Sequence, residues 1–117
     1  EYFEKGITES FKQYGLTVTA TYFDKVGPVT REKVLDQKWI ALFGQGLEAW
    51  TEWRRTGLPQ FPARDSRAIF ANDGVLPTRL PYPGSEESLN NANMKQGIQL
   101  NGGTANDMKT KLWWAER

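Results

Sequence analysis

The strongest constraint on the fold is a helical repeat of large apolar side chains between Thr30 and Arg55. Seven residues, which we call the aromatic stripe, share one face at helical spacing: Leu35, Trp39, Leu42, Phe43, Gly46, Trp50 and Trp53. Four polar residues lie on the opposite face: Gln37, Glu48, Glu52 and Arg55. This separation predicts one amphipathic helix that buries its aromatic face.

The predicted helix carries suitable residues at both ends. Thr30 is a good N-cap, and Glu32 places a negative charge in the first turn, where the helix dipole favours it. Gly57 predicts the end of the helix. Within it, Gly44 and Gly46 each cost about 1 kcal/mol relative to Ala. The helix therefore either bends at these glycines or accepts the close approach of another backbone.

The opening residues also have a helical pattern. Apolar side chains recur at Phe3, Ile7, Phe11 and Tyr14, and Gly15 predicts the end of this first helix. The chain lacks an initiator Met, and no Ser, Thr, Asp or Asn precedes the first turn to cap it. We therefore expect the 117 residues to be a fragment of a longer chain.

Residues 16–25 support two interpretations. Apolar side chains alternate with threonines at Leu16, Val18, Ala20 and Tyr22, which predicts a short half-buried strand. Thr17 is equally suited to cap a short helix that ends at Lys25.

The region from Leu58 to Pro83 contains five of the six prolines. This density of proline excludes long helices and predicts extended, irregular backbone. Such backbone keeps its shape by packing on a larger body through large side chains. The candidate anchors are Phe61, Ile69, Phe70, Leu76, Leu80 and Tyr82.

Two short signals follow the prolines. Ser85 is placed to cap one or two helical turns through Leu89. Asn101-Gly102-Gly103 is a turn sequence that can join two short strands. The predicted fold class is thus mainly α, with long irregular Pro-rich stretches and at most a short hairpin.

The composition excludes several classes of function. The chain has no Cys and no His, which removes thiol nucleophiles, imidazole triads and most zinc sites. Fifteen basic and fourteen acidic residues leave a net charge of +1 with no long run of one sign, so a nucleic-acid partner is not expected. No dense EF-hand-like loop is present, and we expect neither a metal nor a cofactor.

One pair of carboxylates merits comparison with a glycosidase. Glu48 and Glu52 lie one helical turn apart, close in sequence to tryptophans, and glycoside hydrolysis requires two carboxyl groups. Both acids fall on the face opposite the aromatic stripe, however. A solvated surface with a pair between Glu52 and Arg55 is the favoured interpretation, and no catalytic residue is assigned.

The five tryptophans are candidates for stacking on sugar rings. Because Trp39, Trp50 and Trp53 belong to the aromatic stripe, we favour core packing for these three. Trp113 and Trp114 are adjacent and cannot both face one surface of a regular element, so we expect one of them to be exposed.

Two neighbouring arginines, Arg54 and Arg55, are candidates for gripping an anion. A cation near the end of a helix also complements the helix dipole. We therefore favour a structural role for both arginines.

Several motifs together resemble the C-terminal region of SusD/RagB-family outer-membrane lipoproteins. The first half carries Gln37-Lys38-Trp39-Ile40-Ala41-Leu42-Phe43, Glu48-Ala49-Trp50 and Arg54-Arg55-Thr56-Gly57-Leu58-Pro59. The second half carries Arg79-Leu80-Pro81-Tyr82-Pro83, then Glu86, Asn90 and Asn93, and finally Thr110-Lys111-Leu112-Trp113-Trp114. The similarity covers nearly the whole chain.

The resemblance implies that residues 1–117 are the C-terminal portion of a single SusD-like domain whose upstream part is absent. It also implies a mainly α-helical fold, with tetratricopeptide-like helix pairs in that upstream part. It implies a nutrient-binding protein, held by an N-terminal lipid anchor on the extracellular face of the outer membrane, that acts with a TonB-dependent, SusC-like transporter. Members bind glycans, or in some cases peptides, without catalysis. The resemblance also favours the short helix over the strand at Thr17–Lys25.

The resemblance leaves the ligand-binding residues unknown, because no matching motif position carries one onto this chain. A glycan or oligosaccharide carrier is the leading prediction. The alternatives are a peptide-binding member of the same family, an α-helical protein-interaction scaffold and, least favoured, a glycoside hydrolase.

Overall fold

The computed structural model describes residues 1–61 and 75–115. These residues form helices, turns and irregular segments, and no strand is present among them. The predicted mainly α fold is therefore confirmed. The chain divides into two compact units, Glu1–Phe61 and Pro62–Arg117. None of the helices in the described ranges has both the length and the apolarity needed to cross a bilayer.

The first unit contains four helices: α1 (Tyr2–Gln13), α2 (Ala20–Val26), α3 (Arg31–Ala41) and α4 (Gly46–Thr56). Two predicted helix boundaries are confirmed. Gly15 has a φ of 69° just after α1, and Gly57 ends α4 in the left-handed conformation. The predicted cap of α3 is also present, since the Thr30 hydroxyl accepts a hydrogen bond of 3.2 Å from the Lys33 backbone N–H.

Residues 20–26 form a helix, so the short helix favoured by the resemblance is confirmed and the strand indicated by the alternating pattern is wrong. The helix begins two residues later than Thr17 would place it, with Thr19 at the N-cap. Tertiary contacts explain why helical geometry prevails over the two-residue period. The Tyr22 ring packs edge-on against Phe11 at 5.0 Å, and its hydroxyl donates a 2.8 Å hydrogen bond to Oε1 of Gln37.

The single helix predicted between Thr30 and Arg55 is wrong, because α3 ends at Ala41 and α4 begins at Gly46. Gly44 adopts a φ of 83°, which a right-handed helix does not contain. Of the two expectations for the internal glycines, the change of direction is thus the correct one. It also splits the aromatic stripe, and Phe43, at the break, is 75 % exposed.

Helix α3 contacts both α1 and α4. Ile7 and Val26 are the buried apolar residues described in this unit. Five residues after the end of α4, Phe61 packs against Trp39 at 5.4 Å and against Trp53 at 6.2 Å between ring centroids. Phe61 thereby joins the two halves of the aromatic stripe and fulfils its predicted role as an anchor.

The second unit contains α5 (Gly84–Leu89), α6 (Asn91–Leu100) and a short 3₁₀ turn, Trp113–Ala115. The predicted turns through Leu89 are confirmed, but Ser85 lies inside the helix and Pro83 occupies the N-cap. Asn101-Gly102-Gly103 ends α6 instead of joining two strands. Gly102 takes a φ of 73° there, so the same turn residues serve a helix end.

Val75–Pro83 has no regular secondary structure, as the prolines predict. It is held by residues 106–110, since the Thr78 backbone N–H donates a 2.8 Å hydrogen bond to the Met108 carbonyl. Among the predicted anchors, Leu76 and Tyr82 are half-buried, whereas Leu80 is 70 % exposed and does not anchor this unit. Ile69 and Phe70 lie outside the described residues.

Candidate functional site

Glu52 is the buried residue of α4, with 8 % of its surface exposed. Its carboxylate accepts two hydrogen bonds from the Arg55 guanidinium, of 3.1 and 2.5 Å, and lies 3.0 Å from Nζ of Lys38 on α3. The predicted pair with Arg55 is confirmed. The prediction that Glu52 is solvated is wrong, because the break after α3 places Lys38 over this face of α4.

The electrostatics of Glu52 do not suit an acid catalyst. The hydrogen bonds from Arg55 lower the pKa of its carboxyl, Lys38 lowers it further, and burial opposes both effects. A carboxyl held as the anion in this way is a poor proton donor at neutral pH. The other acid of the candidate pair, Glu48, is exposed on the first turn of α4.

The three tryptophans of the aromatic stripe are half-buried within the described residues. Trp39 and Trp53 pack on Phe61. Trp50 is covered on one face by Arg54, whose guanidinium carbon lies 3.6 Å from the ring centre. Packing accounts for these contacts, as the sequence predicts, although none of the three rings is fully enclosed.

The two C-terminal tryptophans differ sharply in exposure. Trp113 is 79 % exposed, Trp114 is half-buried and Ala115 is buried. The 3₁₀ turn formed by these three residues explains the difference, because successive side chains leave such a turn in different directions. The expectation that one of the pair is exposed is confirmed. Trp113 is thus the most exposed indole in the chain.

The two arginines of α4 are both engaged. Arg54 stacks on Trp50, and Arg55 pairs with Glu52, which raises the pKa of the Arg55 guanidinium. The favoured structural role is consistent with these contacts. The sequence analysis did not predict that Arg54 stacks on Trp50. The four-residue spacing between them, which places both on one face of a helix, is the signal that could have shown it.

Within residues 1–61 and 75–115, no group of three or more Asp, Glu, His or Cys side chains could hold a metal ion. Asp107 is a constrained carboxylate among residues 75–115. Its Oδ1 accepts hydrogen bonds of 2.9 Å from the backbone N–H groups of both Thr110 and Lys109. These bonds lower its pKa, that of Thr110 most strongly, and tie Asp107 to a local turn.

A family model described as "SusD-like: Susd and RagB outer membrane lipoprotein" matches residues 17–115, from the segment before α2 to the 3₁₀ turn. The chain belongs to the SusD-like family. The resemblance identified from the sequence motifs is therefore confirmed. No curated protein matches the chain.

Two solved structures share the fold of this chain. A "chitin-binding protein" is 31 % identical, with a TM-score of 0.76, and the match covers 99 % of this chain and 28 % of that chain. A structure named "Bacteroidetes AC2a SusD-like" is 24 % identical, with a TM-score of 0.78, and the match covers 99 % of this chain and 25 % of that chain. The chain thus spans about a quarter of the solved structures that it matches.

Proposed function

We propose that this chain is part of a non-catalytic glycan-binding lipoprotein of the outer membrane. The observation that carries the proposal is membership of the SusD-like family together with 31 % identity to a protein named as chitin-binding. Oligosaccharides of N-acetylglucosamine are accordingly the first ligands to test. A peptide ligand is the alternative outcome of the same test.

The absence of catalysis is supported by the residues available. The sequence offers no Cys or His, and the carboxyl of Glu52 is held as the anion by Arg55 and Lys38. We expect the protein to release no reducing sugar from any polysaccharide. Release of reducing sugar by the pure protein would restore the glycoside hydrolase interpretation.

We further propose that the whole protein is longer than these 117 residues, which form the C-terminal portion of one SusD-like domain. The support is the length of the solved relatives, about four times that of this chain. In this proposal the protein is lipid-anchored on the extracellular face and delivers its ligand to a TonB-dependent, SusC-like transporter. Co-purification with that transporter is the test, and failure to co-purify would favour a scaffold with another partner.

Trp113 is the position we propose for sugar contact within this chain. An indole that is 79 % exposed offers a flat apolar face on which a pyranose ring can stack. Trp114 and Ala115 hold the turn that presents it. Trp50 is the matched comparison, because Arg54 already covers one face of its ring.

The experiment is calorimetric titration of the longer protein with N-acetylglucosamine oligosaccharides, unrelated glycans and peptides. Trp113→Ala should weaken glycan affinity about tenfold and leave the melting temperature unchanged. Trp50→Ala should lower the melting temperature and leave affinity unchanged. Unchanged affinity in Trp113→Ala would remove the assigned contact, whereas binding of peptides alone would remove the glycan proposal.

A further inference from the structure

A groove of about 350 Å³ runs between α1 and α3. Its apolar walls are Phe3, Ile7 and Phe11 from α1 and Val34, Ile40 and Ala41 from α3. On α1 the lining residues recur three or four positions apart, as one face of a helix requires. The groove is therefore a continuous surface built from two helix faces.

Ile7 is buried at the floor of the α1 wall, but several other lining residues are more exposed than apolar side chains of a finished core. Val34 is 41 % exposed, Ile40 is 49 % exposed, and Tyr2 at one end of the groove is 85 % exposed. On the α1 wall, a Cβ added at Gly6 would meet no atom within 4 Å. The groove has open volume where a neighbouring backbone could come close.

Charge does not favour a charged occupant. Lys38 is the ionic side chain among the lining residues, and its Nζ is already 3.0 Å from the Glu52 carboxylate. The other hydrogen-bonding side chains that line the groove are Tyr2, Ser10 and Gln37, and Gln37 already accepts a hydrogen bond from Tyr22. The groove thus fits an apolar surface with few polar atoms.

The dimensions favour a helix. Helices α1 and α3 have 12 and 11 residues, which correspond to lengths of about 16–18 Å, or three turns. An amphipathic helix of similar length can set its ridges between those of α1 and α3. A source for such a helix is indicated by the solved relatives, of which this chain spans only 28 % and 25 %.

We propose that the α1–α3 groove seats an amphipathic helix of about three turns, supplied by the part of the same polypeptide outside these 117 residues. The proposal rests on the longer protein put forward under the proposed function. It does not rest on the ligand of that protein. Burial of the groove walls against this helix would complete the core of the first unit.

Thiol labelling tests whether the groove is covered. These 117 residues contain no Cys, so Val34→Cys introduces one reactive position in the groove wall. Glu48→Cys, on the exposed first turn of α4, is the control. In the native longer protein, we expect labelling at position 34 to be at least about tenfold slower than at position 48, with equal rates in denaturant. Equal native rates would refute the proposal.

The melting temperatures of variants that fill the groove also test whether a helix covers it. Gly6→Ala adds one carbon, whereas Gly6→Leu adds a side chain that would occupy the space assigned to the docked helix. In an open groove Leu is tolerated and both variants raise the melting temperature, because Gly is the poorer helix former. We expect Gly6→Leu to lower it relative to Gly6→Ala. A Leu variant as stable as the Ala variant would contradict the seated helix.

A photo-crosslinking residue at Ile40 identifies the occupant. We expect a crosslink within one polypeptide, to a peptide outside residues 1–117. A crosslinked dimer would assign the groove to a second copy, and a crosslink to the transporter would assign it to that partner; either result overturns the proposal. Because none of these readouts involves a sugar, their failure leaves the glycan proposal standing, and failure to bind glycan leaves the groove proposal standing.

Discussion

The side-chain amide of Asn106 holds both backbone groups of Tyr82. Its Oδ1 accepts a 2.7 Å hydrogen bond from the Tyr82 N–H, and its Nδ2 donates a 3.0 Å hydrogen bond to the Tyr82 carbonyl. Pro81 and Pro83 flank Tyr82 and have no N–H to donate. One side chain thus supplies the hydrogen bonds that a neighbouring strand would supply in a sheet.

Asn106→Ala should lower the free energy of unfolding by about 2 kcal/mol, because it leaves two partly buried backbone groups of Tyr82 without these partners. Denaturant titration of the longer protein measures the change. Asn93→Ala is the control, since Asn93 also makes a side-chain hydrogen bond, to Asn90, but on an exposed surface. We call the two hydrogen bonds between the Asn106 side chain and the Tyr82 backbone the clamp on Tyr82. Equal losses in the two variants would show that this clamp stabilises the protein no more than an exposed side-chain hydrogen bond does.

Glu52→Gln should lower the free energy of unfolding by about 1–2 kcal/mol, because it removes the negative charge that Lys38 and Arg55 share. We expect Glu48→Gln, an exposed change on the same helix, to alter stability by less than about 0.5 kcal/mol. Both values come from denaturant titration. If Glu52→Gln were as neutral as Glu48→Gln, the contact between α3 and α4 would not depend on this ionic cluster.

The stability of the protein should fall in acid. The carboxyls of Glu52 and Asp107 have pKa values below their ordinary 4.5 and 3.8. As the pH falls, these carboxyls take up protons at a higher pH in the unfolded chain than in the native protein. Their contribution to the free energy of unfolding is therefore complete above about pH 5 and is lost as pH falls through the native pKa values. Thermal melts from pH 7 to pH 2 should show this decline. Glu52→Gln should make it shallower, and a parallel profile for the variant would contradict the assignment.

Local signals in the sequence predict much of this fold. Helix ends depend on one or two residues, and Thr30, Gly15 and Gly57 act as their chemistry requires. The break between α3 and α4 was not predictable with the same certainty, because Gly44 permits both a bend and close packing. The alternating pattern at residues 16–22 indicates a strand for a different reason, since the contacts of Tyr22 with Phe11 and Gln37 that favour the helix are not visible in a two-residue period.

The candidate site was less predictable than the fold. If residues 30–55 are treated as one continuous helix, Glu52 falls on a solvated face. In the structure the chain turns between α3 and α4, and α3 brings Lys38 over Glu52. The sequence predicts that one of Trp113 and Trp114 is exposed, because adjacent side chains diverge. Which of the two indoles is exposed depends on the three-dimensional turn. The clamp of Asn106 on Tyr82 joins residues 24 positions apart and has no local signal.

The effect of Gly97→Ala on stability should depend on the hydroxyl of Tyr82. A Cβ at Gly97 would lie 2.7 Å from the Tyr82 hydroxyl oxygen but 3.5 Å from the ring carbon that bears it. Gly97→Ala should therefore destabilise the protein, because the Tyr82 ring must shift to admit the added carbon.

In a Tyr82→Phe background the clashing oxygen is absent, and the same Gly97→Ala change should stabilise the protein by up to about 1 kcal/mol through the better helix propensity of Ala. Four chemical denaturation curves complete this double-mutant cycle. A change of the same sign in both backgrounds would mean that the hydroxyl of Tyr82 is not what requires glycine in α6.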